Sequence, residues 1–294
     1  MRVAVTGSQG QVALSLLERG AEQGIEILAL ARPQLDLADP TTVLPVMSAA
    51  KPDIIVNAAA YTAVDLAESE EALAAKINDA GASAVAQAAA TLGVPVIQLS
   101  TDYVFPGDLD RPYREDDATA PINAYGRTKL AGEDAVRAAT PSHVILRTSW
   151  VYSPFGKNFV RTMLALGETR PALNVVADQI GQPTAALDIA DAILAICHRL
   201  TTGPRSESLF GTFHMAGTGA TSWADFADLI FAEASRHGRA PVAVTRIASD
   251  AYKTAAKRPA NSRLDTQKLA EAYGVRLPAW QTSVSETVNR LLAD

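Results

Sequence analysis

The sequence predicts an α/β protein, a doubly wound parallel sheet of Rossmann-like type with a smaller C-terminal α/β unit. Strand-like and helical runs alternate five times in the first half, a glycine loop follows the first strand at once, and the links between runs are short. Residues 2–6 form the first expected strand. Residues 11–23 read as a helix with Val12, Leu14, Leu16 and Leu17 apolar, and 25–30 as the second strand. Asp39 followed by Pro40 is a cap with proline at the first helical position, so a helix is expected toward Ala50. Residues 53–57 form the third strand. The alanine-rich stretch 70–92, with Glu or Lys on its polar side, predicts one long helix ended by Gly93. Residues 95–100, 124–139 and 143–148 complete the alternation as strand, helix and strand. Beyond Trp150 the rhythm loosens into a helix near 158–166, a strand at 173–176, a helix at 188–200 and a strand at 212–215. A helix opened by Thr221 or Ser222 and a last one at 283–292 follow.

Composition narrows the function classes. In 294 residues, 48% are hydrophobic and 20% charged, and 55 are alanine, which excludes a disordered or fibrous chain. A net charge of -6 argues against a surface built for nucleic acid or anionic lipid. One cysteine and four scattered histidines support neither a disulfide scaffold nor a zinc site, and Cys197 falls on an apolar helical pattern as core packing. The N-terminal apolar run is too short for a signal peptide, and no long uncharged apolar stretch occurs. A soluble protein of the reducing cytoplasm, with no nucleic-acid or membrane partner, is expected.

The run Thr6-Gly7-Ser8-Gln9-Gly10-Gln11-Val12-Ala13 stands between the first strand and the first helix, where Gly7 and Gly10 let backbone approach a pyrophosphate. Its spacing alone is weak, and its placement carries the weight. The second strand ends at Arg32 rather than a carboxylate, which favours the 2′-phosphate of NADP(H) over NAD(H). Asp36 and Leu37 are candidates for the adenine side, and Ala58, Ala59 and Ala60 are small enough to let a cofactor backbone pass.

Tyr125 and Lys129 lie four residues apart on an expected helix and share a face. An adjacent ammonium, with an oxidised nicotinamide, is expected to lower the phenol toward neutrality and make it a tuned acid. Chance supplies about 0.17 such pairs in this composition, so the pair is suggestive. Ser100-Thr101-Asp102 ends the fourth strand, where ligands of open parallel sheets bind, so Thr101 would face the same crevice. Near the C-terminus, Lys253, Lys257, Arg258 and Arg263 concentrate positive charge, and Asn261 offers donor and acceptor together, which suits a phosphate-bearing substrate.

Together these residues resemble the extended short-chain dehydrogenase/reductases, and more closely the dTDP-4-dehydrorhamnose reductase family. The resemblance rests on residues 52–60 (PDIIVNAAA), 62–65 (TAVD), 100–107 (STDYVFPG), 125–133 (YGxTKLAGE), 147–152 (RTSWVY), 178–184 (DQxGxPT) and 258–264 (RPxNSRL), and spans nearly the whole chain. It implies NADPH-dependent reduction of the C4 keto group of a dTDP-linked 4-keto sugar, the last step toward dTDP-L-rhamnose for cell-surface polysaccharide. Tyr125 would supply the proton, Lys129 hold the ribose, and Thr101 adjust the hydrogen bonding. Gly10, Gln11 and Val12 would contact the pyrophosphate, and Ala60, Tyr61, Thr62 and Leu99 the rest of the cofactor. Thr101, Asp102, Trp150, Gln179, Arg258, Asn261 and Arg263 would meet the sugar nucleotide. The implied division is an NADP-binding domain over 1–150 and a mainly substrate-binding one over 151–294, some of whose segments return to the first sheet.

Three points stay open in the sequence. Some family members hold magnesium through glutamates at a dimer contact, whereas the matching positions here are Ser15 and Leu187, so the resemblance does not extend to Mg2+. A monomer and a homodimer remain equally admissible. A non-catalytic NADP-binding regulatory subunit, like that of methionine adenosyltransferase, shares the fold, as do sister sugar-nucleotide epimerases and dehydratases that recycle NAD. The intact Thr101, Tyr125 and Lys129 favour catalysis, and Asp102-Tyr103 lacks a dehydratase's second acid.

Overall fold

The computed structural model describes residues 1–204 and 206–293. In chain order its elements are β1 (Arg2–Thr6), α1 (Gln11–Glu22), β2 (Glu26–Leu30), α2 (Val43–Ala50), β3 (Ile54–Asn57), α3 (Val64–Ala67), α4 (Glu71–Ala75), α5 (Gly81–Leu92), β4 (Val96–Thr101), α6 (Ala124–Ala139) and β5 (His143–Thr148). After them come β6 (Val151–Tyr152), α7 (Phe159–Gly167), β7 (Ala172–Val176), β8 (Ile180–Gly181), β9 (Thr184–Ala185), α8 (Ala186–Thr202), β10 (Gly211–His214), β11 (Thr221–Ser222), α9 (Trp223–Arg236), β12 (Ala243–Ile247), α10 (Gln267–Tyr273) and α11 (Trp280–Leu292).

Strand alternation builds two cores on one sheet. Val3, Val5, Ile54, Val56, Ile97, Leu99, Val144 and Leu146 face one side, where α1 and α8 cover them through Val12, Leu16, Ile189 and Ile193. Ala4, Ile55, Val96 and Ile145 face the other, under α2, α5 and α6 through Met47, Val85, Ala89 and Val136. All six strands run parallel in the order β10-β5-β4-β3-β1-β2. β10 pairs with β5 and α8 packs on α1, so the chain beyond residue 150 does return to the first sheet. The strand order reverses between β1 and β3, which opens a crevice outside their carboxyl ends.

The remaining elements enclose a third core beside the sheet. Val160 and Met163 of α7, Phe226 and Ile230 of α9, and Val284 and Val288 of α11 pack with Leu173 and Val175 of β7. β12 pairs with β7 in parallel. β12 escaped the sequence reading because it is an edge strand with an exposed face, so its alternation is diluted by Thr245 and Arg246.

Two helices differ from expectation for local reasons. Asp39 caps the Thr41 N–H as foreseen, but the first turn after it, Pro40–Thr42, is a 3-10 turn before α2 begins. The single helix expected over 70–92 is broken into α4 and α5 by a π-helical turn, Lys76–Ala80. That turn presents the buried Asn78, whose amide donates to the Tyr61 carbonyl (3.1 Å) and to Thr128 Oγ1 (3.1 Å) and whose oxygen accepts from the Tyr61 N–H (2.8 Å). Among the described residues no helix is long and apolar enough to cross a membrane, and no group of three His, Cys, Asp or Glu gathers as for a metal ion. Cys197 is fully buried.

Candidate active site

The crevice at the strand reversal is bordered by small residues and open backbone, as a dinucleotide needs. Gly7 follows β1 at φ +86°, a conformation for glycine, and donates its N–H to the Leu30 carbonyl (2.7 Å). A Cβ there would come to 3.3 Å of Ala59 Cβ, so the loop after β1 and the alanines after β3 face each other at close range. Gly10 caps α1 without any side-chain partner, and a Cβ on it would meet nothing within 4 Å. The first-turn N–H groups are therefore open to an anion, and the residues fit a pyrophosphate. Thr6 Oγ1 fixes this geometry by donating to Asn57 Oδ1 (2.6 Å) and accepting from the Ala59 N–H (3.0 Å).

The expected cofactor residues divide by where their side chains go. Arg32 is exposed beyond β2 and makes no ion pair among the described residues. Ala58, Ala59, Ala60 and Tyr61 are half-buried and Thr62 is exposed. Val12 and Leu37 turn into the core instead, and Gly81 packs against the Leu37 backbone, so only their main chains remain for a ligand. Asp36 is occupied locally, accepting from the Ala38 N–H (2.9 Å). Gln11 reaches across to the second half, its Oε1 accepting from Ser153 Oγ (2.8 Å).

Tyr125, Lys129 and Thr101 converge because α6 lies along the end of β4. Asn123 caps α6 by accepting from the Gly126 N–H (2.8 Å), and Gly126 brings the helix so close that a Cβ would sit 2.1 Å from the Tyr103 carbonyl. Tyr125 packs edge-on to Tyr103, ring centres 5.8 Å apart. Lys129 is buried and donates to the Leu99 carbonyl (2.7 Å). The expected lowering of the phenol involves the oxidised nicotinamide as well as the ammonium; the protein's own groups act the other way. Burial, reinforced by the Asp102 charge, raises Tyr125, and only the Thr101 hydroxyl opposes this. Such a phenol keeps its proton at neutral pH, the state an acid needs before reaction.

Asp102 is buried behind the pair. Its Oδ1 accepts from Thr101 Oγ1 (2.9 Å), and burial pushes the carboxyl up to about 6 against the pull of the Ser262 and Thr101 hydroxyls. The folded protein thus holds a proton that the unfolded chain releases near its ordinary 3.8, so this group costs stability as pH rises from the lower value to the upper. Asp102→Asn removes the titration. The Tm of wild type minus that of the variant should become more favourable to wild type as pH is lowered from about 7 to about 4. A difference independent of pH, measured by thermal melts, contradicts the assignment.

The residues expected to meet the substrate are of two kinds. Trp150, at φ +47°, stacks on Trp223 (3.6 Å between centres, 11° between planes) and packs against Gly181. Gln179 accepts from the Trp223 indole N–H (3.2 Å) and donates to Ser249 Oγ (2.9 Å). These form an aromatic wall, and Trp223 and Gly181 were not foreseen. Asn261 and Arg263, expected at the sugar nucleotide, are instead committed to the chain. The Asn261 amide donates to the Leu109 and Arg111 carbonyls (2.8 and 2.7 Å), and its oxygen accepts from the N–H and Nε of Arg263 (3.1 and 2.8 Å). Arg263 also donates to the Asp110 carbonyl. They clamp the 105–111 loop, where a Cβ on Gly107 would strike Pro259 at 2.4 Å. Arg258 pairs with Asp65 (2.7 Å), so the foreseen basic cluster is partly neutralised; Lys253 and Lys257 are exposed.

The sequence matches the RmlD substrate binding domain family over residues 1–293. The chain belongs to that family. It is 51% identical over 294 residues to a dTDP-4-dehydrorhamnose reductase of Sinorhizobium fredii, covering 100% of this chain and 99% of the other. A dTDP-4-dehydrorhamnose reductase of Burkholderia thailandensis is 43% identical over 301 residues, covering 100% of both chains. A crystal structure of dTDP-4-dehydrorhamnose reductase from Bacillus anthracis in complex with NADP has a TM-score of 0.91 at 37% identity, over 98% of this chain and 99% of that one. Sequence reasoning passed over Asn78, which ties the Tyr61 backbone to Thr128 of α6. A lone asparagine in an alanine-rich helix was its only signal.

Proposed function

We propose that this chain is an NADP-dependent oxidoreductase that reduces the C4 keto group of dTDP-4-dehydro-L-rhamnose to give dTDP-L-rhamnose. The observation that carries the reading is the convergence of a protonated Tyr125, Thr101 and Lys129 at the end of β4, beside the open Gly7 to Gly10 loop. The names of its full-length relatives support the substrate. Residues 1–150 hold the cofactor and 151–294 mainly the sugar nucleotide, with Trp150, Gln179 and Arg258 its nearest side-chain candidates.

Bound NADPH supplies a hydride to the sugar C4. The chain's part is to bind, orient and protonate. The N–H groups at the start of α1 meet the pyrophosphate, and Lys129 holds the nicotinamide ribose. Tyr125 gives its phenolic proton to the sugar O4 as negative charge develops there, and Thr101 steadies the same oxygen. Arg32 takes the 2′-phosphate of NADPH. Arg32→Ala should weaken NADPH about tenfold, a charge-assisted bond's worth, and leave NADH affinity unchanged. Fluorescence titration with both cofactors checks this, and equal losses remove Arg32 from the 2′-phosphate site.

Absorbance at 340 nm tests the activity. The protein should oxidise NADPH when a dTDP-4-keto-6-deoxy sugar is present and stay inactive without it. Tight NADPH binding with no turnover would point to a regulatory subunit instead.

A further inference from the structure

Lys129, Glu133 and Arg137 follow one another at four-residue spacing on one face of α6. Glu133 is fully buried, and every bond its carboxylate makes is to another element or to that face. Oε1 accepts from Ser100 Oγ of β4 (2.6 Å) and from Arg147 Nε of β5 (2.8 Å); Oε2 accepts from Arg147 Nη2 (2.7 Å) and Arg137 Nη2 (2.6 Å). Ser100 lies between Leu99, whose carbonyl takes the Lys129 ammonium, and Thr101. Helix and strand are thus joined at two successive residues, 99 and 100, immediately before the hydroxyl that faces Tyr125.

We propose that Glu133 is a positioning residue for the reaction, whose buried carboxylate fixes α6 against the end of β4 and keeps the Lys129 ammonium charged where the cofactor ribose binds. This rests on the role given to Lys129 above. Burial pulls Lys129 down and the Glu133 charge opposes that fall, the two together leaving it at about 8. Glu133 stays ionised because, against its own burial, Arg147, Ser100 and Arg137 hold it below its ordinary value. The other charged or titratable neighbours are Asp134, which pairs with Arg137, and His214 of β10 beside Arg147 in register, which burial keeps neutral by lowering it to about 3. A buried ion pair is by itself weak evidence for a stability role. Here its geometry points at the site.

The pH profile of kcat/KM for NADPH separates the possibilities. Wild type should lose activity on the basic side near pH 8, as Lys129 deprotonates. Glu133→Gln should move that limb about one unit toward acid, because a neighbouring opposite charge is gone and the Arg147 charge is left facing Lys129. Glu133→Asp keeps the charge and should keep the limb, even if its Tm falls. Should the Gln variant not fold, Glu133→Gln combined with Arg147→Met removes the stranded cation as well, and the limb should move the same way but less. A merely structural glutamate would lower Tm and activity uniformly across pH, and an unmoved limb in either folded charge-free variant overturns the proposal. Lys129→Met tests the underlying reading separately: if it retains turnover with the wild-type basic limb, the role of Lys129 fails whatever Glu133 does.

Discussion

Tyr125→Phe should lower kcat about a thousandfold while NADPH affinity stays within about threefold of wild type. The substitution deletes one hydroxyl and leaves the ring, which keeps its edge-on contact with Tyr103 and its place on α6. Positioned proton transfer contributes about 10²–10⁴ in rate, so loss of the proton donor falls in the middle of that range, the remainder coming from hydride proximity and the Thr101 hydroxyl. Burial and the Asp102 charge raise the phenol, so it carries its proton into the reaction. Asp102 itself, pushed to about 6, is largely ionised at neutral pH. Steady-state kinetics with cofactor titration by fluorescence distinguishes the outcomes. Equal losses in affinity and turnover would make Tyr125 a cofactor-binding residue, and normal turnover would remove it from the chemistry.

Features set by local pattern were legible in the sequence; features set by distant partners were not. The sheet could be read because Val3, Val5, Ile54, Val56, Val144 and Leu146 alternate with residues facing the opposite core, and α6 because the run 124–139 suits a helix throughout. The Tyr125–Lys129 pair followed from helical spacing alone. The destination of each side chain did not. Lys129 binds the Leu99 carbonyl, a backbone group that sequence spacing does not place, and burial of the Tyr125 ring, which raises its phenol, is equally a product of distant packing. Asn261 and Arg263 look like ligand-binding residues, because amide and guanidinium serve a phosphate and a loop equally well; only the nearby Leu109, Asp110 and Arg111 carbonyls decide between them. The π-helical turn at Lys76–Ala80 was hidden for a related reason: alanine-rich sequence suits an α-helix throughout, and the insertion answers to Tyr61 and Thr128 from elsewhere in the fold.

That turn makes Gly132→Ala the second change with a large expected effect. On an isolated helix the substitution would stabilise by about 1 kcal/mol, because glycine is the poorer helix former. Here the added Cβ would lie 2.0 Å from the Asn78 carbonyl oxygen and 3.1 Å from its carbon, both backbone atoms that cannot swing aside. The helices must separate, and overpacking of this kind costs about 1–3 kcal/mol, with the backbone contact placing it at the upper end. Overpacking wins, by about 2 kcal/mol, a fall in Tm of roughly 4–8 °C for a chain of this size. The strain also has a direction. Asn78 carries the Tyr61 backbone on one side and Thr128 of α6 on the other, so moving it shifts the loop after β3 and the helix bearing Tyr125 together. Activity at a temperature where the variant is folded should therefore fall about tenfold, with weaker NADPH binding contributing. A variant as stable as wild type would mean that the π-helical turn and α6 part without cost, and one destabilised but fully active would mean that the Asn78 link does not reach the site. Thermal melts combined with kinetics well below the transition separate these outcomes.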